Sequence, residues 1–300
     1  MKLSITGISI KEKEDKINIE AIHGLVKAAF CDSRVKINSE YSRDLGFFIG
    51  TTFSNSDIRK SNTENYRKGG VRVVSPTDFP KCLISYLGGD LSTAFNLKGA
   101  NSTLSSGVSS GVDAFVQAGY FVGRSGKNKA VIVELDEKVS QNLSCSLMGS
   151  ACLIIENNSG AGKKRHSYAD VLGIESFFEK EGENKGLIKA LQAVLKKHAL
   201  KISSVDYILG LSMPKTKEYI LERDALQGFA DPEKFISLPP NLQKINNGSG
   251  IGLIADLLKN ADFGYGHNKK NILILFILLG KDTNSSCVAI KIQRKRRVVL

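Results

Sequence analysis

Apolar and polar positions along the chain alternate between two periods, and the switches mark a succession of strands and helices. "KLSITGISI" alternates and predicts a strand over Lys2–Ile10. Ile22, Leu25, Val26 and Ala29 recur at helical spacing and predict a helix over Ile19–Phe30. "DLGFFIGTTF" (Asp44–Phe53) predicts a buried strand, and "RKSNTENYRKGG" (Arg59–Gly70) a polar loop. Within "VSPTDFPKCLISYLGGDLSTAF" (Val74–Phe95) the apolar spacing turns helical, and Pro80 suits a first helical turn, so a helix is expected from Pro80 to Leu91. "NSTLSSGVSSGVDAF" (Asn101–Phe115) reads as a short strand, a turn of small residues and a helix running on to Val122. A strand follows over Lys129–Glu137.

The order then recurs. Strands are expected at Gly149–Asn157 and Tyr168–Phe178, an amphipathic helix at Lys185–Leu200, a strand at Val205–Ser212 and a helix at Thr216–Leu226. A glycine-rich turn enters a helix within Asn246–Asn260. "NILILFILLG" (Asn271–Gly280) and Ser285–Gln293 form a strand pair joined by "KDTN". Strands and helices alternating in two similar halves argue for a layered α/β architecture, divided here into residues 1–140 and 141–300.

Composition adds only a little. Three hundred residues that are 42% hydrophobic and 24% charged suit a globular chain with a large core. The net charge of +12 favours acidic partners without choosing among nucleic acid, anionic membrane and acidic protein. Five cysteines (Cys31, Cys82, Cys145, Cys152, Cys287) show no CxxC pair, which argues against a zinc site or disulfide framework and for reduced thiols in the cytoplasm. The N-terminus lacks the apolar core of a signal peptide, and Asn271–Gly280 is too short to cross a bilayer. No metal, cofactor or membrane partner is expected. "NNGSGIG" departs from dinucleotide-binding spacing and reads as a close helix entry. The basic end "QRKRRVVL" reads first as a solvated tail and second as a docking element for an acidic protein, with nucleic acid a weaker reading.

Several segments, in collinear order, resemble the β-ketoacyl synthases, the condensing enzymes of fatty-acid and polyketide assembly. "FFIGTTF" looks like the family's glycine-containing second strand. "VSPTDFPKCLISYLGGDLSTAFNLKG" is similar to its proline-rich approach, helix and "F-G-L-K-G" turn. "NSTLSSGVSSGVDAFVQAGYFVGRSGKNKAVIVEL" resembles the nucleophile elbow, its helix and the next strand. "GSACLIIENNSGAGKKRHSYADVLGI", "VDYILGLSMPKTKEYILERDAL" and "KDTNSSCVAIKI" resemble the strand and "Y-A-x-L-x-G" run, the "D-Y-I-N-A-H-G-T" segment and the "G-G-T-N-A-S" hairpin of the second half. The resemblance implies a thiolase-like α-β-α-β-α fold with a mixed five-stranded sheet in each half.

The departures are chemical. Counted from Gly99, the family's nucleophilic cysteine falls on Val108; its two histidines fall on Leu211 and Asn246, and its lysine on Asn241. Valine cannot be acylated, leucine cannot transfer a proton, and asparagine can only donate a hydrogen bond. Ser105, Ser106 and Ser109 near the turn read as turn and capping residues. None of His23, His166, His198 and His267 falls in a matched catalytic segment, and His198 reads as a helix-end residue. The segment that walls the family's acyl channel is missing between "VIVELDE" and "GSACLIIEN".

The resemblance therefore implies a non-catalytic homologue similar to chain-length factors, which pair with an active ketosynthase. It implies a dimer-interface strand at Asn101, Ser102, Thr103, Leu104 and Ser105. It implies channel-limiting side chains at Leu83, Tyr86 and Leu87, for which ordinary core packing is the alternative. Other readings are a homodimeric scaffold that binds an acidic acyl carrier protein, and a divergent acyl-transfer enzyme.

Overall fold

Side-chain alternation along the strands sorts the apolar residues into three cores, and the cores define five layers. The computed structural model describes residues 3–11, 19–35, 39–51, 56–124, 129–136, 149–157, 167–178, 185–210, 217–227, 229, 235–236, 250–260, 271–279 and 284–293. The first five strands are β1 (Leu3–Lys11), β2 (Leu45–Thr51), β3 (Asn101–Leu104), β4 (Lys129–Asp136) and β5 (Gly149–Asn157). They run in the order β3-β2-β4-β5-β1. β3 and β4 pair with β2 in parallel, and β5 pairs antiparallel with β4 and β1. The second set comprises β6 (Ala169–Phe178), β7 (Tyr207–Gly210), β8 (Phe235–Ile236), β9 (Asn271–Leu279) and β10 (Asn284–Gln293), in the order β6-β10-β9-β7-β8.

On the first set, Phe47, Ile49, Val131, Val133, Leu135, Cys152 and Ile154 face one way. They pack with helices α1 (Ile19–Ser33) and α4 (Tyr86–Ala94). The intervening Phe48, Ala130, Ile132, Leu153 and Ile155 face the other way, toward α5 (Ser110–Arg124) and α8 (Ile251–Asn260). Ile274, Phe276, Val288 and Ile290 of the second set join that same central core. Leu275, Ile277, Cys287 and Ala289 face outward onto α6 (Lys185–Lys197) and α7 (Lys217–Leu226). The sequence of layers is helix, sheet, helix, sheet, helix, as expected of a thiolase-like fold. Burial on both faces explains why β4, β5 and β9 read as nearly continuous apolar runs.

The two five-stranded sets are joined edge to edge, through three residue pairs only, Leu3–Ile5 of β1 with Ala169–Val171 of β6. Ser4 Oγ donates to Asp170 Oδ1 across this seam at 2.8 Å. Where the β1 register shifts between Ile5 and Gly7, Asp32 of α1 accepts the Ile8 N–H at 2.8 Å and the Tyr168 hydroxyl at 2.9 Å. A single ladder of ten strands results. By strand pairing, β5 groups with β1–β4, although it follows residue 140.

Two local expectations give way. The polar stretch after Arg59, expected as a loop, is helical: α3 spans Ser56–Gly69, after the short α2 (Ser39–Asp44). Ile58 and Tyr66 are its only large apolar residues, so it carries no apolar stripe. Asn62 Nδ2 and Thr63 Oγ1 bond back to the carbonyls four residues earlier. Pro80 does open a helical turn, but that turn is 3₁₀ and ends at Cys82. Leu83 is extended there, and α4 begins only at Tyr86. The break leaves Phe79, Leu83 and Ile84 exposed.

Phe115 of α5 is fully buried in the central layer. Phe115→Ala is expected to destabilise the chain by about 3–5 kcal/mol, against about 0.5 kcal/mol or less for exposed Ile220→Ala; urea unfolding midpoints measure both.

Candidate functional site

The site grows from the end of β3. After Leu104 the chain reverses through one 3₁₀ turn, Gly107–Ser109, and enters α5 at Ser110. Gly107 holds φ +69°, a conformation that favours glycine. The strand, sharp turn and helix form an elbow whose helix N-terminus sits against β2: a Cβ on Gly50 would collide with the backbone of Ser110 and Gly111.

The elbow is held by its own serines. Ser110 Oγ accepts the Ser106 N–H at 2.8 Å and donates to the Gly107 carbonyl at 2.6 Å. Ser106 Oγ donates to Asp113 Oδ2, and the Ser109 hydroxyl lies 3.0 Å from the same oxygen. Of the serines expected as turn and capping residues, Ser106 and Ser109 bond to the Asp113 carboxylate, which is 7% exposed and needs donors, and Ser109 also closes the turn on the Ser106 carbonyl at 2.9 Å. Behind the elbow lies a second buried carboxylate. Glu134 of β4 is 2% exposed, and its Oε2 accepts the Gly252 N–H near the start of α8 at 2.8 Å.

This arrangement fixes the start of α5 against β2 and β4. A serine nucleophile would need a base. His23, of the two described histidines, pairs with Asp90 at 3.0 Å between α1 and α4. His198 follows α6, where burial pushes its imidazole below the usual range, opposing the cationic helix-end role expected of it.

Val108 lies in the 3₁₀ turn, at the elbow position expected from the register. Leu211, Asn241 and Asn246 lie outside the described residues, as do His166, His267, Cys145 and the basic end 294–300. Asn101–Leu104 form β3, an end strand whose only neighbour among the described strands is β2, and exposed Ser105 follows it. Asn101 Nδ2 donates to the Gly88 carbonyl at 2.9 Å and to Ser92 Oγ at 2.7 Å, fixing β3 to α4. The three channel candidates part company. Leu83 is 57% exposed, Tyr86 is half-buried, and Leu87 is a core residue at 6%.

Sequence reasoning missed Asp113 and Glu134. Each left a trace: Asp113 stands four residues after Ser109 on one helix face, and Glu134 is the one charge inside "AVIVEL".

Comparison with known proteins places this geometry. Residues 20–134 match the family model "Beta-ketoacyl synthase, N-terminal domain". No curated protein sequence matches the chain. Among solved structures, the chain is similar to the ishigamide ketosynthase/chain length factor, with TM-score 0.76 at 14% identity over 98% of this chain and 100% of that one. A type II polyketide synthase acyl-carrier protein in complex with its ketosynthase gives 0.72 at 12% identity over 97% and 99%. A β-ketoacyl synthase from Burkholderia phymatum gives 0.75 at 10% identity over 98% and 100%. The chain thus has the thiolase-like fold of the ketosynthases, with the elbow and β2–β4 inside the matched segment.

Thiol chemistry offers a direct check on this site. Cys152 and Cys287 are fully buried, and burial pushes both thiols well above the usual range; Cys31 is exposed. Iodoacetamide on the native protein is expected to alkylate Cys31 while sparing Cys152 and Cys287, read by peptide mass spectrometry.

Proposed function

We propose that this divergent, ketosynthase-like chain is a non-acylating subunit that pairs with an active β-ketoacyl synthase in fatty-acid or polyketide assembly, in the manner of a chain-length factor. One observation carries the reading: β3 ends the sheet, and no described strand pairs with its outer edge. Next to it, α4 packs on β3, and the segment leading into α4 exposes Phe79, Leu83 and Ile84. An open strand edge bordered by exposed apolar residues is a surface that another chain of the same architecture can complete. The elbow supports β3 without needing a nucleophile, because its turn is held by serines and Asp113. Loss of the nucleophile at Val108, and of proton-transfer groups at Leu211, Asn241 and Asn246, belongs to the same reading. So does the name of a structural neighbour, in which a ketosynthase and a chain length factor occur together.

The channel role follows the burial of its candidates. Leu83 is the candidate open to a partner, with Tyr86 behind it, while Leu87 supports both from the core. The net charge of +12 suits a further, acidic partner such as an acyl carrier protein.

The chain co-expressed with the active ketosynthase of its host is expected to purify as a complex of one copy of each, by light scattering. Phe79→Asp combined with Leu83→Asp is expected to weaken that complex by at least about tenfold while leaving the unfolding midpoint of the free chain unchanged. In the reconstituted complex Leu83→Ala is expected to lengthen the products. A stable homodimer that ignores the ketosynthase would instead favour the scaffold reading, and a monomer would overturn both.

A further inference from the structure

We propose that Glu134 is a built-in ligand: its carboxylate fills, from within the chain, a carboxylate-binding position formed by the start of α8, the Gly111 face of α5 and Gly250. Vacated, that position takes a small monocarboxylate such as formate or acetate. It lies in the buried interior, where β4, α5 and α8 meet.

Four features converge on it. Glu134 Oε2 accepts the N–H of Gly252, the second residue of α8, at 2.8 Å. The first N–H groups of a helix have no partner in the helix and favour an anion. Oε1 lies over Gly111, where a Cβ would collide with the carboxylate. At Gly250 a Cβ would stand 3.1 Å from Oε1 and 2.9 Å from Val112 Cγ2, and φ there is +74°, so the cradle excludes side chains on two sides. Along the sheet, Glu134 is flanked in register by Gly50 of β2 and Ala151 of β5, which leave room for a carboxylate in an otherwise apolar strand.

A carboxyl group buried to 2% exposure needs hydrogen-bond partners, and the Gly252 N–H supplies one to Oε2. It also joins the two sets of strands: Glu134 belongs to β4, and the N–H it accepts belongs to the helix preceding β9. The position beside the elbow is therefore already occupied by a carboxyl group of the chain itself.

The test uses the full chain as wild type, Glu134→Gly and Glu134→Gln, with thermal unfolding in sodium formate and in sodium chloride at equal ionic strength. Glu134→Gly is expected to unfold several degrees below wild type in chloride, and formate is expected to recover roughly half or more of the loss by mass action on the folded state. Wild type and Glu134→Gln, whose positions are filled, are expected to unfold at the same midpoint in both salts. No gain from formate over chloride in Glu134→Gly would overturn the proposal, as would an equal gain in all three proteins. Should Glu134→Gly fail to fold in chloride, refolding yield becomes the readout: a higher yield in formate supports the proposal, and equal yields overturn it.

Discussion

A helix buried on nearly every side needs a different surface for each face, and α5 imposes that requirement on the whole molecule. From Ser110 to Ala118 only Gln117 is exposed. Phe115, Val112 and Val122 pack into a core to which both five-stranded sets contribute. The second central helix, α8, is buried from Ile251 to Leu257 and has the same need. Neither set of strands can cover its inner face without these helices, just as the outer helices cover the opposite faces. The elbow fixes where α5 begins, and Glu134 ties the start of α8 to the same place. Local turn chemistry at residues 106–113 is thereby coupled to the packing of the entire chain.

That coupling gives the elbow a structural task of its own. Removing a nucleophile changes one side chain; removing the turn would misplace a helix that carries the central core. Ser106 and Ser109 bond within the turn and to Asp113, while Ser110 bonds within the turn and reaches the Thr51 carbonyl of β2 at 3.2 Å, which ties the turn to the sheet. The geometry of the elbow sets where β3 ends and where α5 begins.

Much of the architecture was legible because burial on both faces writes itself plainly. The apolar runs at β4, β5 and β9, and the spacing at α1, α5 and α6, could hardly be read otherwise. Alternation of strands and helices argued for a layered α/β chain, and the resemblance supplied the five-layer order. The misses have physical causes. Helix α3 has no apolar stripe, so nothing in its pattern separates it from a loop. The helix expected from Pro80 starts only at Tyr86 because an extended Leu83 interrupts it, and that interruption creates the exposed apolar surface. Asp113 and Glu134 were overlooked because a charged residue reads as solvated until its burial is seen. The strand, turn and helix read at Asn101–Phe115 are present, with Val108 in the turn, while the assignment of Val108, Leu211, Asn241 and Asn246 to the family's reactive positions rests on the resemblance.

The central claim is that the elbow serves as framework and carries no acyl group. Intact-mass spectrometry of the chain after incubation with acyl and malonyl thioesters tests it most directly. The mass is expected to remain that of the unmodified protein, with the acyl group appearing only on an added ketosynthase. A stoichiometric acyl adduct on this chain, mapped to the 105–110 turn, would contradict it.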